Sequence, residues 1–188
     1  LKIKESTTIS AAILENGQIR EKASVDSIMM HKGIGSSVRL ATPPNFRYAE
    51  GGASALCDGF RGSTQHRQGH WLGFYGDDLV AEIRLQTSSD LKTLRIGTLN
   101  VARSWIFKPL EVNISISEDG KNFVPVEVIS PESDLLSPAP VRLEYLAHVN
   151  RQNISHIRID IKNRKTCPEG HPYAGQPAWL FVDEIILE

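Results

Sequence analysis

The chain has 188 residues, with 21 lysines and arginines against 22 aspartates and glutamates. This near-neutral balance and a hydrophobic content of 40% are typical of a globular protein, and they exclude a disordered chain or one that binds nucleic acid through charge alone. No apolar run reaches the roughly 18 residues of a membrane-spanning helix, so we expect no membrane insertion. The start, Leu1–Glu5, contains neither an initiator Met nor a signal peptide, and we therefore expect the chain to be part of a longer protein.

The first predicted element is a β-hairpin over residues 7–26. Two β-type runs flank the dipeptide Asn16-Gly17, which is the strongest short-range hairpin signal. A lone hairpin is marginal in water, so it must pack on the next part of the chain or belong to a larger sheet. Residues 28–35 form a short connector, which Gly33 and Gly35 are expected to loosen.

From residue 37 onward, short apolar runs alternate with turn residues, and no segment keeps a helical period over three turns. Strands at this spacing predict an all-β fold, an antiparallel β-sandwich or jelly roll of about 150 residues. The predicted strands are Ser37–Leu40, Asp78–Leu85, Thr93–Thr98, Leu110–Ser117, Val124–Ile129, Val141–Leu146, His156–Lys162 and Val182–Leu187.

Three long loops are the expected location of the function. Seven of the 14 glycines fall within residues 51–76, which also contain many aromatic and charged residues. Long loops are usually functional or disordered, and the aromatic content argues against disorder. Two further polar and aromatic loops cover residues 100–109 and 163–177.

The two cysteines, Cys57 and Cys167, are too few for a disulfide scaffold. Neither belongs to a CxxC motif, which argues against zinc binding through thiolates. Two alternatives stay open, a Cys57–Cys167 disulfide or two buried free thiols.

Five segments, in this order along the chain, resemble those of a discoidin domain, also called the coagulation-factor type C domain. The resemblance covers residues 36–188, and the variant is similar to the family 32 carbohydrate-binding modules at the C-terminus of bacterial β-N-acetylhexosaminidases (chitobiases) of the Bacteroides kind. The segments are Gly51-Gly52…Ala55-Leu56-Cys57-Asp58-Gly59, Trp71-Leu72-Gly73-Phe74-Tyr75-Gly76-Asp77-Asp78-Leu79, Trp105-Ile106-Phe107-Lys108-Pro109, Ser117-Glu118-Asp119-Gly120-Lys121-Asn122-Phe123 and Ala178-Trp179-Leu180-Phe181-Val182-Asp183-Glu184-Ile185.

The resemblance also implies a division into domains. The hairpin is similar to the last strands of the immunoglobulin-like domain that precedes the module in those enzymes. Residues 1–30 would then be the C-terminal hairpin of a truncated immunoglobulin-like domain, residues 31–35 a linker and residues 36–188 the discoidin-like β-sandwich. The catalytic domain would lie upstream in the same chain.

The residues themselves argue against an enzyme. Hydrolysis by two carboxylates needs both acids beside one bond, whereas the candidate pairs Asp77-Asp78 and Asp183-Glu184 are adjacent on strands and point to opposite faces. No Gly-x-Ser-x-Gly elbow accompanies the loop histidines. We therefore expect no catalysis by this chain.

The resemblance further implies one structural calcium ion. A glycine-rich loop with a few fixed carboxylates suits a cation that takes six to eight oxygen ligands. The loop Asp58–Ser63 departs from many relatives because it lacks an acidic or amide residue after Asp-Gly, and in the alternative Asp58 forms an Asx turn and Glu184 is exposed. The implied ligands are the side chains of Asp58 and Glu184, the hydroxyl and carbonyl of Ser63, and the carbonyls of Leu56, Arg61 and Ala178.

A sugar site needs aromatic faces for the apolar side of the ring and planar donors and acceptors for the hydroxyls. Trp71 and Trp179 are expected in the core, Trp105 suits either role, and His171 is expected to be exposed between a glycine and a proline. Arg61, His66 and Arg67 have a solvated loop face as their alternative. The candidate carbohydrate-binding residues are Arg61, His66, Tyr75, Trp105, His171 and Tyr173.

Three functions remain as hypotheses. The first is a noncatalytic carbohydrate-binding module that targets its parent hydrolase, periplasmic, surface-bound or secreted, to N-acetylhexosamine- or galactose-containing glycans. The second is a structural spacer that packs on the upstream catalytic domain without sugar affinity. The third is a module for anionic phospholipids or sulfated glycans, with Arg61, Arg67, Arg164 and Lys165 as its contacts.

Overall fold

The computed structural model describes residues 3–20, 24–132 and 136–188. No helix in these ranges is long and apolar enough to cross a membrane. Short 3-10 helices cover Phe46–Tyr48, Gly52–Cys57 and Ala102–Ser104. The strands are β1 (Thr7–Ala11), β2 (Leu14–Glu15), β3 (Gln18–Ile19), β4 (Ser24–Ile28), β5 (Ser37–Leu40), β6 (Leu72–Tyr75), β7 (Leu79–Asn100), β8 (Glu111–Ser117), β9 (Val124–Ile129), β10 (Val141–Lys162) and β11 (Trp179–Leu187).

The long strands β7 and β10 pair antiparallel over most of their length, from Leu79 opposite Ile161 to Asn100 opposite Val141. Register shifts interrupt the ladder between His148 and His156, and such irregularities bend a strand. One half of the ribbon therefore joins β5, β8 and β9, and the other half joins β11 and β6.

The apolar faces of the two halves form one core. Side chains from the first part of β7, the last part of β10 and β8 belong to the same buried cluster as side chains from β6, β11 and the last part of β7. The two layers therefore face each other, and the prediction of an antiparallel β-sandwich is confirmed. Representative members of the cluster are Ile83, Ile159, Ile114, Phe74, Ile96 and Val182.

The predicted strand boundaries differ from the structure in several places. The segments 78–85 and 93–98 are parts of β7, and 141–146 and 156–162 are parts of β10, because bulges carry the pairing through polar residues. Strand β6 was predicted as loop, since its residues are buried on both faces and show no alternation. It pairs with β11, which begins at Trp179 rather than Val182.

The N-terminal hairpin prediction is confirmed. Strand β1 pairs with β4, and β2 pairs with β3 around Asn16 and Gly17. Both turn residues have a positive φ, 52° and 76°, which is what a tight two-residue hairpin turn requires. The assignment of this hairpin to a separate domain stays a prediction.

The connector after the hairpin is packed rather than loose. Met29 donates its backbone N–H to Gly59 at 2.9 Å, and Lys32 donates to Leu187 at 2.9 Å. Gly33 lies so close to the ring of His31 that a Cβ there would be 2.9 Å from the ring. The expectation that Gly33 loosens the segment is therefore wrong, because this glycine is required for close packing.

Both cysteines are free and buried. Of the two alternatives for Cys57 and Cys167, the structure therefore shows two buried thiols. Burial, the largest cause, followed by the charges of Glu184 and Asp58, raises the pKa of Cys57 above its usual range.

A buried ion pair joins β10 to β11. Arg142 donates from Nε to Asp183 Oδ2 at 2.7 Å and from Nη2 to Oδ1 at 3.1 Å. The backbone N–H of Gly62 donates to the same carboxylate at 2.8 Å. The Asp183 side chain is fully buried, so its charge depends on these donors for compensation.

We predict that Arg142→Met lowers the free energy of unfolding by about 3–5 kcal/mol, because it leaves a buried carboxylate unpaired. Arg20→Met is the matched control, since Arg20 pairs with Glu15 at 2.8 Å with both side chains more than half exposed. That exposed pair should contribute less than about 1 kcal/mol. Urea denaturation measures the free energy of unfolding of each variant. Equal decreases in the two variants would contradict the role of Arg142 as the partner of a buried carboxylate.

Candidate functional site: an aromatic cleft

A cleft of about 360 Å³ lies at the end of the sandwich where β6 ends and β11 begins. It combines residues from four separate parts of the chain, namely the segment after β5, the end of β6, the loop after β7 and the start of β11. The lining residues are Asn45, Phe46, Arg47, Tyr75, Trp105 and Trp179.

The pairing of β6 with β11 positions one aromatic wall. Tyr75 and Trp179 are register partners, and their ring centroids are 4.6 Å apart. Tyr48 packs its ring against Trp179 in an edge-on contact at 5.3 Å, and Phe181 lies edge-on to Trp179 at 5.7 Å. These contacts restrict the indole of Trp179 to one orientation.

Trp105 forms the other aromatic wall. Its φ is 63°, and its carbonyl accepts the backbone N–H of Trp179 at 2.8 Å, so the start of β11 fixes this loop. A bulky residue in the left-handed region is uncommon and costs free energy, which points to a functional constraint. Tyr173 lies beside it, with ring centroids 5.0 Å apart, and is 56% exposed.

Polar groups at the rim complete the cleft. Asn45 accepts the backbone N–H of Arg47 through Oδ1, which leaves its amide NH₂ without a protein partner among the described residues. The guanidinium of Arg47 lies 5.8 Å from the ring centroid of Phe46. Aromatic faces with amide and guanidinium donors at the rim can bind a ring that has one apolar face and several hydroxyls.

A second cleft of about 250 Å³ adjoins the first. Tyr48 connects the two, since its ring centroid is 5.3 Å from that of Trp179 and 6.2 Å from that of His66. Burial, the largest cause, followed by the charges of Arg67 and Arg103, lowers the pKa of His66. The lining residues are Arg47, Tyr48, Glu50, His66, Arg67, Gly69 and Trp71.

Four of the six predicted sugar-site residues therefore lie at this end of the molecule. Tyr75 and Trp105 line the aromatic cleft, Tyr173 lies next to it, and His66 lines the second cleft. Trp71 is 2% exposed, which confirms its predicted place in the core.

His171 is buried, and the expectation that it is exposed is wrong. Its Nε2 donates to the carbonyl of Ala102 at 3.1 Å, and its Nδ1 accepts the backbone N–H of Tyr173 at 3.2 Å. The flanking glycine and proline bend the backbone, but the ring turns inward and packs edge-on against Phe107. His171 therefore positions the loop of Tyr173, with both ring nitrogens engaged.

Arg61 does not belong to the aromatic cleft. Its guanidinium forms an ion pair with Glu144. It lines a separate groove beside β1 and β4, together with residues such as Thr8 and Asp26. The expectation that Arg61 shares a sugar site with Tyr75 and Trp105 is therefore corrected.

Four lining residues were not predicted from the sequence. Trp179 was expected in the core, but it is only partly buried and lines the cleft. Asn45, Phe46 and Arg47 were not singled out, although Phe46 is 84% exposed. A signal was present, since Asn45 follows two prolines and caps a short helix that places the aromatic Phe46 at the surface.

The surroundings of Glu184 bear on the implied calcium site. Its Oε1 accepts from His31 Nε2 at 2.7 Å, and its Oε2 accepts from the backbone N–H of Gly59 at 3.1 Å. The other ring nitrogen of His31 accepts the N–H groups of Gly33 and Leu187, so the proton must be on Nε2. Each oxygen of Glu184 thus accepts one N–H group.

Burial affects both partners of this contact. Burial, followed by the charge of Asp58, raises the pKa of Glu184 to about 9, and burial lowers the pKa of His31 to about 4. Both shifts favour the neutral forms of the two groups. Asp58 hydrogen bonds to Glu184 and accepts the N–H of Phe60 at 2.8 Å. The Asx turn of the alternative is therefore present, whereas exposure of Glu184 is wrong.

The other implied ligands are also engaged or distant. The carbonyl of Ser63 accepts from Trp71 Nε1 at 3.0 Å, and the carbonyl of Ala178 accepts the N–H of Gly76 at 2.8 Å. Ala178 precedes Glu184 by six extended residues, about 20 Å, so the two cannot bind one ion. Leu56 is fully buried, and Arg61 pairs with Glu144.

This donor set does not fit a calcium ion. Calcium takes six to eight oxygens, whereas the oxygens of Glu184 face N–H groups. Within the described ranges, no group of three or more His, Cys, Asp or Glu side chains could bind a metal ion.

We predict that His31→Ala lowers the free energy of unfolding by about 1–3 kcal/mol, because Glu184 loses a donor in a buried position. His148→Ala, at an exposed position of β10, should change it by less than about 0.5 kcal/mol.

Thermal unfolding of the wild type should give the same melting temperature in calcium and in excess EGTA. A higher melting temperature in calcium would show that the cation binds and would contradict the donor-set argument.

The comparisons with known proteins identify the fold. No family model matches the chain, and no curated protein matches it. A solved fucolectin (f-lectin) from striped bass, Morone saxatilis, is 12% identical, with a TM-score of 0.52 over 84% of this chain and 47% of that chain.

Two smaller solved domains match over nearly their whole length. CpGH89CBM32-4 of Clostridium perfringens, in complex with GlcNAc-α-1,4-galactose, is 14% identical, with a TM-score of 0.49 over 85% of this chain and 94% of that chain. An F5/8 type C domain from Bacteroides fragilis is 14% identical, with a TM-score of 0.47 over 81% and 90%. The chain has the antiparallel β-sandwich fold of the fucolectin, which is the fold that the resemblance to discoidin domains predicted.

Proposed function

We propose that the chain is a noncatalytic carbohydrate-binding module and that the aromatic cleft binds one sugar residue of a glycan. The observation that carries the proposal is the convergence of Tyr75, Trp105 and Trp179 on one cleft. These three aromatic side chains come from separate segments, and a mainly structural role would not require their faces to line a surface cavity.

The dimensions and chemistry of the cleft suit a monosaccharide. A volume of about 360 Å³ lies in the range of small-molecule sites, which are concave and mainly apolar with a few placed polar groups. The indole and phenol faces match the apolar C–H face of a pyranose ring. Asn45 and Arg47 supply N–H donors for its hydroxyls. An N-acetylhexosamine or a galactose-containing glycan is the proposed ligand class.

The fold and the lining residues support binding rather than catalysis. The fucolectin, which shares the fold, is a lectin by name. None of the residues that line the aromatic cleft is an aspartate or a glutamate, so the cleft has no general acid or base of the kind that glycoside hydrolysis needs. Of the candidate acid pairs, Asp78 interacts with Lys162 and Lys165, and Asp183 is buried.

The proposal extends to the parent protein. The resemblance of the five segments supports a β-N-acetylhexosaminidase (chitobiase) whose catalytic domain lies upstream, in a periplasmic, surface-bound or secreted enzyme. In such an enzyme a binding module raises the local concentration of substrate at the catalytic domain, and two weak contacts to one polymer increase the overall affinity.

One observation favours the spacer alternative. Ile13, Leu14 and Ile19 of the N-terminal hairpin are 60–67% exposed, as is expected of a surface that another domain covers. A spacer would use this hairpin and would leave the aromatic cleft without a ligand. The two functions are therefore separated by whether the cleft binds sugar.

We predict that Trp105→Ala and Tyr75→Ala each reduce glycan affinity at least tenfold, which corresponds to about 1.4 kcal/mol of lost stacking. A glycan array identifies the ligand, and calorimetric titration with that ligand measures the affinity. Phe123→Ala is the matched control, because Phe123 lies at the far turn under Arg158 and outside the cleft.

Circular dichroism checks that each variant is folded. The control should bind like the wild type. No binding by the wild type to any array glycan would overturn the carbohydrate function and leave the spacer. Unchanged affinity in both aromatic variants would show that sugar binds elsewhere.

A further inference from the structure

Three arginines surround the aromatic cleft without a carboxylate partner. Arg47 lines the cleft, Arg67 lines the adjoining cleft, and Arg103 lies on the short helix that leads into Trp105. All three are exposed, and none forms an ion pair with any acidic residue that the structure describes. Of the other arginines in the described residues, Arg20, Arg61, Arg95, Arg142 and Arg158 are paired with acids, whereas Arg39, Arg84, Arg151 and Arg164 are not. The position of Arg47, Arg67 and Arg103 beside the two clefts therefore distinguishes them, rather than the missing ion pair alone.

Two of the three arginines line one cavity, and Arg103 lies on the short helix that leads into Trp105, which lines the aromatic cleft. Arg47 and Arg67 line the same cavity as His66, and Arg47 lines both cavities. Burial is the largest cause of the lowered pKa of His66, and the charges of Arg67 and Arg103 lower it further, so both cations lie near this ring. Since the rings of His66 and Trp179 both pack near Tyr48, the positive charge adjoins the aromatic wall.

One acidic residue opposes this charge. Glu50 lines the second cleft, and its carboxylate lies 3.5 Å from the position that a Cβ on Gly69 would take. It forms no ion pair with a described residue. Among the residues that line the two clefts, two arginines stand against one carboxylate, and the lining of the aromatic cleft itself has no acid. Arg103 adds a third cation on the short helix before Trp105.

We propose that the cleft binds a glycan with an anionic substituent, a carboxylate or a sulfate, whose charge is bound by Arg47, Arg67 and Arg103 while its sugar ring stacks on the aromatic walls. This inference rests on the proposed carbohydrate function. A neutral sugar needs no unpaired cation, whereas a planar guanidinium fits a carboxylate or sulfate through two parallel hydrogen bonds. Because these arginines have no carboxylate partner in the described structure, the ligand breaks no existing ion pair.

An anionic membrane is the less suitable ligand. Stable interfacial binding requires several apolar side chains that protrude together beside the basic residues. At this end Phe46 is 84% exposed, while Trp105 and Trp179 are partly buried in a concave wall. A concave aromatic wall suits a sugar ring rather than a lipid surface.

The test compares matched neutral and charged sugars. The wild type is titrated with galactose, galacturonic acid and galactose 6-sulfate, and with N-acetylglucosamine and its 6-sulfate, at low and at high salt. We expect at least one anionic sugar to bind tenfold or more tightly than its neutral parent, with an advantage that falls as salt rises. Comparing galacturonic acid with the sulfated sugars shows whether the cleft prefers a carboxylate or a sulfate.

Replacing single arginines with glutamine shows which of them cause the preference for anionic sugars. Arg67→Gln and Arg103→Gln should each reduce the ratio of anionic to neutral affinity at least threefold. The control Arg39→Gln, at an exposed position of β5, should leave the ratio unchanged. If Arg39→Gln also lowers the ratio of anionic to neutral affinity, the preference depends on the net charge of the protein. That result would overturn the proposal that these three arginines bind the anionic group.

The outcomes separate this inference from the carbohydrate function. Equal affinity for neutral and anionic sugars overturns the anionic preference and leaves the carbohydrate function in place. Binding of none of the sugars, with none on the array, overturns both. Binding to phosphatidylserine vesicles without binding to any sugar overturns both in favour of a membrane surface.

Discussion

Two consecutive carboxyl groups on the last strand, Asp183 and Glu184, are buried, and each must be satisfied by donors from other segments. A buried carboxyl group without hydrogen bonds costs several kcal/mol of folding free energy. The segments that supply the donors must therefore keep their positions against this strand. Asp183 binds Arg142 and the backbone of Gly62, while Glu184 binds His31 and the backbone of Gly59. These contacts fix the glycine-rich loop, β10 and the connector against one strand.

The aromatic cleft depends on the other end of the same strand. β11 begins at Trp179, which is paired with Tyr75 and which receives the loop of Trp105 through a backbone hydrogen bond. The polar contacts in the middle of β11 and the aromatic contacts at its start are thus connected through one strand. The cleft is assembled on a rigid sheet edge, although two of its walls come from loops.

Local pattern accounts for the parts that could be predicted. The hairpin followed from Asn16-Gly17, and the sandwich followed from apolar alternation with turn residues, because both depend on neighbours in sequence. The extended length of β7 and β10 was missed, since bulges carry the pairing across polar residues. Tyr75 and Trp105 were found because surface aromatics in long loops are unusual. His171 was misplaced, since burial depends on the carbonyl of Ala102 across the loop.

The sequence by itself determined the all-β class, the hairpin and the segments rich in aromatic and basic residues, since these depend on composition and on short-range periodicity. Only the tertiary structure decided which aromatic residues share a cleft and which arginines lack a carboxylate partner among the described residues. It also placed the N–H groups of His31 and Gly59 on the two oxygens of Glu184, for which the resemblance had implied a calcium ion. The physical reason is that each of these outcomes depends on contacts between residues separated by tens of positions, and periodicity along the chain carries no information about them.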